Sequence, residues 1–372
     1  MANFAAALDR VFDEFQAEYQ VPGYDCAVWH HGQEIYRRME GVADLETGAS
    51  ITDRTLYNMY SNTKVVTCTA ALQLFEQGLF LLEDPLSYFF PEFAHMKVLQ
   101  ADGSVTDAKA PITIRDLFRM TAGFGVGHEY GDMGQRFYME TGGECPISAL
   151  PKYLAEAPLL FEPGSQFLYG ICHEMLAALI EKLSGERFGA YLENHIFRPL
   201  GMNDTAFTLD KLENKALANQ YQFMGPDQPL KTMGAANFLI PPVLKESATG
   251  GLISSVTDYM KFQQALSSGT QLLSRRTIDL MRQNQLTGSQ WDGYGYTSIG
   301  LGYGLGVRTT VNQAALGAPV GFGPFGWGGA SGSYGSIDPE NDLCIFYMHH
   351  IFGTADLRLH NRIRNIVYAS LD

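Results

Sequence analysis

Cysteine and charge are both scarce in this 372-residue chain, and each scarcity excludes a class of protein. The five cysteines, Cys26, Cys68, Cys145, Cys172 and Cys344, stand far apart, and no two of them form a CxxC pair. An odd number at such spacing argues against a disulfide framework and a structural zinc site, and it fits a reducing compartment. Charged residues make up only 18% of the chain against 46% apolar residues, which argues against a disordered protein and predicts a large core.

Long hydrophobic runs are also missing, because no stretch reaches the ~18 consecutive apolar residues of a membrane span. At the N-terminus, no basic segment precedes a continuous apolar one, as it would in a signal peptide. The apolar residues there recur at helical spacing instead, which predicts an amphipathic helix carrying Phe4, Leu8, Val11, Phe15 and Tyr19. We therefore expect a cytoplasmic protein with no membrane partner, although a periplasmic protein whose signal peptide had been removed would look the same.

Basic residues are outnumbered by acidic ones, 26 against 40, so the formal net charge is −14. Such a surface repels phosphate backbones, and no basic run or aromatic–basic stripe offers them a groove. We therefore expect no nucleic-acid partner. Nothing in the pattern indicates an oligomeric state.

Strand patterns occur at both ends of the sequence, with helical patterns between them. Residues 26–37 predict a hairpin, and from about residue 290 the runs YGLGVR, SYGSID and LCIFYMHH have the character of strands. A closing helix is expected to turn four apolar side chains inward: Leu357, Ile363, Ile366 and Val367. The pattern predicts an α/β (α+β) fold, in which one antiparallel sheet built from both chain ends is flanked by terminal helices. We predict a discontinuous sheet domain at 1–60 and 286–372, and an inserted, mostly helical domain at 61–285.

Motifs for nucleotide, metal and α/β-hydrolase chemistry are broken or absent. GFGPFG at 321–326 matches GxGxxG, but its fourth position is Pro324 and no periodic helix follows, which argues against a dinucleotide site. HEMLA at 173–177 lacks the second histidine of a zinc-protease helix, which makes His173 an ordinary surface or wall residue. No GxSxG is present. We expect neither a metal nor an organic cofactor.

One short stretch, SNTK, suggests nucleophilic chemistry, because Ser61 is the only serine followed by a lysine three residues later. Residues so spaced on a helix lie about 5–6 Å apart at Cβ, so the amine of Lys64 can reach the hydroxyl. A buried lysine can act as a base, and a helix N-terminus favours developing negative charge. On these residues alone, the pattern also fits a plain helix start with Ser61 near the cap and Lys64 exposed.

Several longer stretches occur in an order that carries a family resemblance from about residue 20 to 350. They are MYSNTKVVTCTAALQLFEQGLFLLEDPL, ITIRDLFRMTAGFG, FEPGSQFLYG, FRPLGMNDTAF and ATGGLISSVTDYMKF. Together they resemble class C serine β-lactamases, the related penicillin-binding proteins and, most nearly, the family VIII carboxylesterases. The resemblance implies a β-lactamase/transpeptidase-like fold, and it places the family's catalytic tyrosine at Tyr169.

The sequence departs from the β-lactamase pattern at two motifs. After Tyr169 come Gly170 and Ile171, where an asparagine would hold a peptide or β-lactam carbonyl. At the position of the family's Lys-Thr-Gly motif, this chain has Trp327-Gly328-Gly329, which is typical of the esterase branch. An aromatic side chain therefore replaces the cation that would bind a substrate carboxylate.

From the resemblance we expect a serine hydrolase that cleaves short or medium acyl esters through an acyl-enzyme. The implied catalytic residues are Ser61, Lys64 and Tyr169, with an oxyanion hole at Ser61 and Ala330 and a substrate-binding strand at Trp327, Gly328 and Gly329. The alternatives are a β-lactamase, a D-Ala-type peptidase or D-aminopeptidase, an acyltransferase, and an inactive binding homologue. The expected partner is a small-molecule ester or amide substrate. The loops at 120–146 and 285–304 are expected to roof the cleft.

Overall fold

The structure is a computed structural model that describes residues 2–125, 133–142, 146–239, 245–269 and 271–371. Within these ranges, none of the helices combines the length and the apolar character that crossing a membrane requires. Residues 126–132 and 143–145, in the first of the two expected roof loops, lie outside the description.

In the described ranges, the strands form one large antiparallel sheet, one three-stranded sheet and two two-stranded sheets. The large sheet has seven strands in the order β2-β1-β13-β12-β11-β10-β9, so its N-terminal hairpin pairs directly with a strand from the other end of the chain. The strands are β1 (Gly23–His30), β2 (Gln33–Gly41), β3 (Leu56–Asn58), β4 (Lys97–Leu99), β5 (Val105–Asp107), β6 (Gln220–Gln222), β7 (Lys231–Gly234), β8 (Ile253–Ser255), β9 (Leu301–Tyr303), β10 (Arg308–Thr310), β11 (Phe325–Gly326), β12 (Tyr334–Asp338), β13 (Leu343–His349) and β14 (Ile351–Phe352).

Helices cover both faces of this sheet. The terminal helices share one apolar cluster with β1 and β13, while α9 packs on the opposite face with the larger helical core. The helices are α1 (Ala2–Tyr19), α2 (Thr63–Glu76), α3 (Ile114–Phe118), α4 (Met133–Thr141), α5 (Pro151–Leu154), α6 (Cys172–Ser184), α7 (Phe188–Leu192), α8 (Arg198–Leu200), α9 (Val256–Ser268), α10 (Arg275–Met281), α11 (Gln290–Tyr294), α12 (Gln313–Leu316) and α13 (Asp356–Tyr368).

The expected architecture is therefore confirmed, since strands from both chain ends form one antiparallel sheet beside a mostly helical region. The boundaries proposed for the two domains remain predictions. Two local expectations are wrong. Leu357 is 49% exposed, because the inward face of α13 is set by Leu359, Ile363 and Val367. YGLGVR is not one strand: its middle residues turn the chain from β9 to β10.

The core positions α2 as the central helix of the helical region. Almost every residue from Thr63 to Leu72 is buried, because α6 and neighbouring segments surround the helix on all sides. A helix that is apolar nearly all round belongs in the interior of a large core. Polar groups at its N-terminal end, including Ser61 and Lys64, are consequently held by the packing around them.

Candidate active site

Ser61 lies in a single 3₁₀ turn, Tyr60–Asn62, immediately before α2. The preceding residue, Tyr60, has a φ of 46°, a left-handed conformation that is rare for an aromatic residue and costs free energy. Its buried ring packs edge-on against Phe352 at 5.7 Å, and its hydroxyl donates to the side-chain oxygen of Gln220. These contacts hold the strained residue in place and thereby position the serine that follows.

Lys64 lies one helical turn beyond Ser61 and is only 4% exposed. Its Nζ donates to Ser61 Oγ at 3.2 Å and to the backbone oxygen of Thr249 at 2.6 Å. A buried ammonium without partners would be costly, and these two acceptors compensate part of its lost hydration. The structure thus excludes the plain helix start with an exposed lysine and brings amine and hydroxyl together.

Glu174 fixes the loop that supplies this carbonyl. The carboxylate, on the first turn of α6 and only 1% exposed, accepts from Ser247 Oγ at 2.6 Å, Thr249 Oγ1 at 2.7 Å and Thr249 N at 3.1 Å. Its other oxygen accepts from Ala248 N at 2.9 Å. Sequence reasoning missed Glu174, because the loop it binds lies far away in the chain and a lone glutamate in a first helical turn is usually just favourable to the helix dipole.

Tyr169 and Trp327 meet beside the lysine. Lys64 Nζ lies 4.7 Å from the centre of the Tyr169 ring. The indole Nε1 of Trp327 donates to Tyr169 Oη at 2.9 Å, and the two rings stack 5.4 Å apart with 19° between their planes. Tyr303, from the second expected roof loop, packs edge-on against Trp327 at 5.2 Å. Residues far apart in sequence are thereby joined into one cluster.

The Gly328-Gly329 segment packs closely against the serine turn. A Cβ on Gly329 would lie 2.7 Å from the backbone oxygen of Met59, and one on Gly328 would lie 2.5 Å from that of Ser333. Only glycine therefore fits this close approach. Ser333 Oγ joins the two segments, because it accepts from Gly329 N and from Asn62 Nδ2, each at 2.6 Å. Sequence reasoning missed both Ser333 and Asn62. Ala330 follows as an exposed residue of the same turn.

Behind Lys64 lies His173, which is fully buried and therefore a wall residue, as expected. Burial, which disfavours the charged imidazolium, lowers the pKa of His173 to about 3, and the nearby Lys64 charge adds to the effect. The ring contacts Cys68 Sγ and the backbone oxygen of Phe118 at 3.2 Å. Among the described residues, no group of three or more histidine, cysteine or carboxylate side chains is arranged to hold a metal ion.

Comparisons with known proteins show the family to which this chain belongs. The family model described as Beta-lactamase matches residues 8–369. Esterase EstB of Burkholderia gladioli is 29% identical over 371 residues, covering 93% of this chain and 90% of that protein. A putative D-alanyl-D-alanine carboxypeptidase of Escherichia coli (strain K12) is 23% identical, covering 89% of this chain and 78% of that protein. The solved structure of EstCE1, a hydrolase with promiscuous acyltransferase activity, has the same fold, with a TM-score of 0.79 at 24% identity over 98% of both chains. The chain belongs to the β-lactamase family of serine hydrolases, and it shares that family with an esterase as well as with a peptidase.

Proposed function

We propose that this protein is a carboxylesterase that cleaves short or medium acyl esters through an acyl-enzyme on Ser61. The observation that carries the proposal is the joined cluster of Ser61, Lys64, Tyr169 and Trp327, in which an aromatic pair stands beside the nucleophile. The 3.2 Å contact from Lys64 Nζ to Ser61 Oγ supports a lysine that acts directly on the serine proton.

In the proposed reaction, Ser61 Oγ attacks the ester carbonyl carbon while its proton passes to the pair formed by Lys64 and Tyr169. The tetrahedral intermediate then collapses, the carbon–oxygen bond to the alcohol breaks, and Tyr169 Oη returns a proton to the leaving alcohol. Water attacks the acyl-enzyme by the same proton route, which releases the acid and restores Ser61. Lys64 and Tyr169 carry the proton between Ser61, the leaving alcohol and the attacking water.

The developing oxyanion would be bound by the backbone N–H groups of Ser61 and Ala330. The proposal is supported by the close packing of the Gly328-Gly329 segment on Met59 and Asn62, which brings the turn carrying Ala330 toward the serine. Loss of one donor in such a hole typically lowers the rate ~100–1,000-fold. Because both donors are backbone groups, the turn's conformation matters more than the side chain of Ala330.

An uncharged ester fits this site better than a β-lactam or a D-Ala peptide. Those substrates carry a carboxylate, and the family's cation for it is replaced by Trp327, whose apolar faces and stacking on Tyr169 favour an acyl or aryl group. The esterase EstB and the hydrolase EstCE1 support this choice by their described activities. Acyl transfer to another alcohol or amine would use the same acyl-enzyme.

The first test is hydrolysis of p-nitrophenyl butyrate by the wild type and by Ser61→Ala. We expect the wild type to turn the ester over and Ser61→Ala to lose nearly all activity, because the variant lacks the hydroxyl that forms the proposed acyl-enzyme. Ser331→Ala is the matched control, since this buried hydroxyl has no hydrogen-bond partner in the part of the chain that the structure describes. A Ser61→Ala enzyme with the wild-type rate would contradict the proposal.

Two further measurements separate the alternatives. A cephalosporin hydrolysed faster than the ester would favour a β-lactamase or peptidase. A wild type that is inert to every ester and is not labelled at Ser61 by a fluorophosphonate would favour the inactive binding homologue.

A further inference from the structure

Two arginines face each other on the side of the sheet that α13 covers. Arg308 in β10 and Arg364 in α13 line the same small cavity. Arg364 is only 7% exposed, and its Nε has no hydrogen-bond partner among the described residues. Among the described residues, neither guanidinium forms an ion pair with a carboxylate, and the contacts of Arg308 are to the Tyr334 ring and the backbone oxygen of Gly335. A pair of like charges is thus held together without a counterion.

This arrangement is costly as it stands. A buried charge is normally paired, and an orphaned buried group in a native structure calls for an unseen water or ion. Burial lowers the pKa of Arg364, and the neighbouring Arg308 contributes in the same direction while Tyr334 opposes it. Arg308 is partly compensated, because it lies over the Tyr334 ring at 5.3 Å and its Nη2 donates to the backbone oxygen of Gly335 at 3.2 Å.

The cavity is small and its walls are suited to an anion. Its volume is about 20 Å³, which is enough for one occupant of roughly the size of a water molecule. Besides the guanidinium groups, it is lined by the hydroxyl-bearing residues Thr310 and Ser336. Strand alternation puts Thr310 on the same face as Arg308, and Ser336 on the same face as Tyr334. Donors therefore line part of the space, apolar side chains including Leu301, Leu316 and Phe325 line the rest, and no carboxylate belongs to its described lining.

We propose that this cavity is a binding site for a small monatomic anion of the chemical class of chloride. Charge-assisted N–H contacts from the two guanidiniums would hold the ion, and the hydroxyls would complete its shell. A water molecule fits the volume but cannot neutralise two cations. Phosphate, sulfate or a carboxylate group needs more room than one water-sized position.

The site is separate from the reacting serine but connects to the strand next to it. Gly335, whose oxygen Arg308 binds, donates its N–H to the backbone oxygen of Trp327 at 2.8 Å. An anion that fixes Arg308 would therefore stabilise the end of β12 against the segment that carries Trp327. The expected consequence is an anion-dependent stability, whatever ester the enzyme acts on.

Thermal unfolding at constant ionic strength tests the proposal, with sodium chloride exchanged against sodium gluconate, an anion too large for the cavity. Chloride at saturating concentration should raise the unfolding midpoint of the wild type by ~3–5 °C. Arg358→Met is the matched control, because Arg358 lies on the same helix but is 71% exposed, and it should keep the full effect. Arg364→Met should show no rise of the unfolding midpoint with chloride. A chloride effect that is absent, or equal in all three proteins, would overturn the proposal.

A second measurement needs only the wild type, so it tests the proposal even if Arg364→Met fails to fold. Crystals of the wild type soaked in sodium bromide should show an anomalous scattering peak between the two guanidiniums. Bromide found only at other places on the protein, with a water molecule or nothing in this cavity, would overturn the site. Both measurements are independent of ester hydrolysis, so neither outcome bears on the proposed esterase activity.

Discussion

At the scale of single residues, Trp327 has the largest influence on the proposed chemistry. By the family resemblance it stands where relatives carry a lysine, and an indole differs from an ammonium in two ways. It brings one N–H donor without a charge, and its faces are apolar. The indole N–H donates to Tyr169 Oη, and one face of the indole stacks on the Tyr169 ring. Trp327 therefore both orients the tyrosine and forms a wall beside it.

Trp327→Phe should therefore separate these two contributions. The ring stack on Tyr169 is kept in this variant, but the hydrogen bond to Oη is lost, and such a bond is worth about 1 kcal/mol. We expect kcat for p-nitrophenyl butyrate to fall about fivefold with a smaller change in KM. Trp29→Phe is the control, because it also removes an indole hydrogen bond, the one to Glu34 Oε2 in the N-terminal hairpin. Equal kcat values in the wild type and Trp327→Phe would show that the stack alone orients the tyrosine.

At the residue scale, the contact between two side chains was predictable where both belong to one short motif. Ser61 and Lys64 are three residues apart, so their meeting could be predicted from helix geometry, and the structure brings them together. Glu174, Asn62 and Ser333 could not be predicted, because each acts on a segment distant in sequence and carries no motif of its own. Their links to the candidate site are seen only in the hydrogen bonds that they make across the fold.

At the scale of elements, α6 links the two halves of the candidate site. It begins three residues after Tyr169, and its Glu174 holds the loop whose Thr249 oxygen binds Lys64. A displacement of this helix or loop would move the tyrosine and the lysine together. We regard Glu174 as a positioning residue, since it acts on Lys64 through the loop.

Glu174→Gln should lower activity through this loop. The amide keeps the size of the carboxylate but presents an NH₂ group to backbone and hydroxyl donors, which disrupts about 1–3 kcal/mol of hydrogen bonding. We expect a lower unfolding midpoint and a kcat reduced at least tenfold in the folded enzyme.

Glu181→Gln on the same helix is the matched control. Its buried carboxylate accepts from the backbone N–H groups of Ser148 and Phe188, away from Lys64. This variant should lose stability while keeping its kcat. If both variants lost stability and neither lost kcat, Glu174 would be a structural residue only.

Element boundaries show which sequence signals are dependable. The N-terminal hairpin was predicted correctly, because a turn marks it locally. The prediction of one strand at YGLGVR was wrong, because its glycines lie in the turn between β9 and β10. The prediction that Leu357 points inward was wrong, because this residue lies in the first turn of α13. The part of the helix that packs on α1 and the sheet begins after it.

At the scale of the whole molecule, buried histidines should make the fold sensitive to acid. Burial lowers the pKa of His173 and of His350 to about 3, from an ordinary value of 6.5. Below pH 6.5 the unfolded chain therefore binds protons that the folded protein refuses, so stability is present above that pH and lost as the pH falls toward 3. Each histidine should cost about 2–3 kcal/mol of unfolding free energy at pH 4.5.

Urea unfolding at pH 7 and pH 4.5 measures this loss. His350→Gln should show a smaller loss of unfolding free energy between pH 7 and pH 4.5, because the glutamine does not titrate. The reduction should equal the contribution of one histidine. His95→Gln, which replaces an exposed histidine, is the control and should behave as the wild type. The same acid loss in all three proteins would show that other groups cause it.

The architecture as a whole was predictable because strand patterns cluster at the two ends of the sequence. The order of strands within the sheet was not predictable, because it depends on which apolar faces meet in space. The sequence of a single strand carries no signal for its partner. The resemblance to a known family supplied the fold that periodicity could only outline.

The pairing of β1 with β13 has a consequence for how the protein is made. Tyr24 pairs with His349, and His30 with Leu343, so the ribosome must synthesise nearly the entire chain before β1 meets its second neighbour. Until then the hairpin of β1 and β2 presents an unpaired edge, which is a template for aggregation. Contacts between such distant residues also slow folding. The nascent chain should therefore depend on chaperones, and release of the C-terminal segment should be the event that commits it to the native sheet.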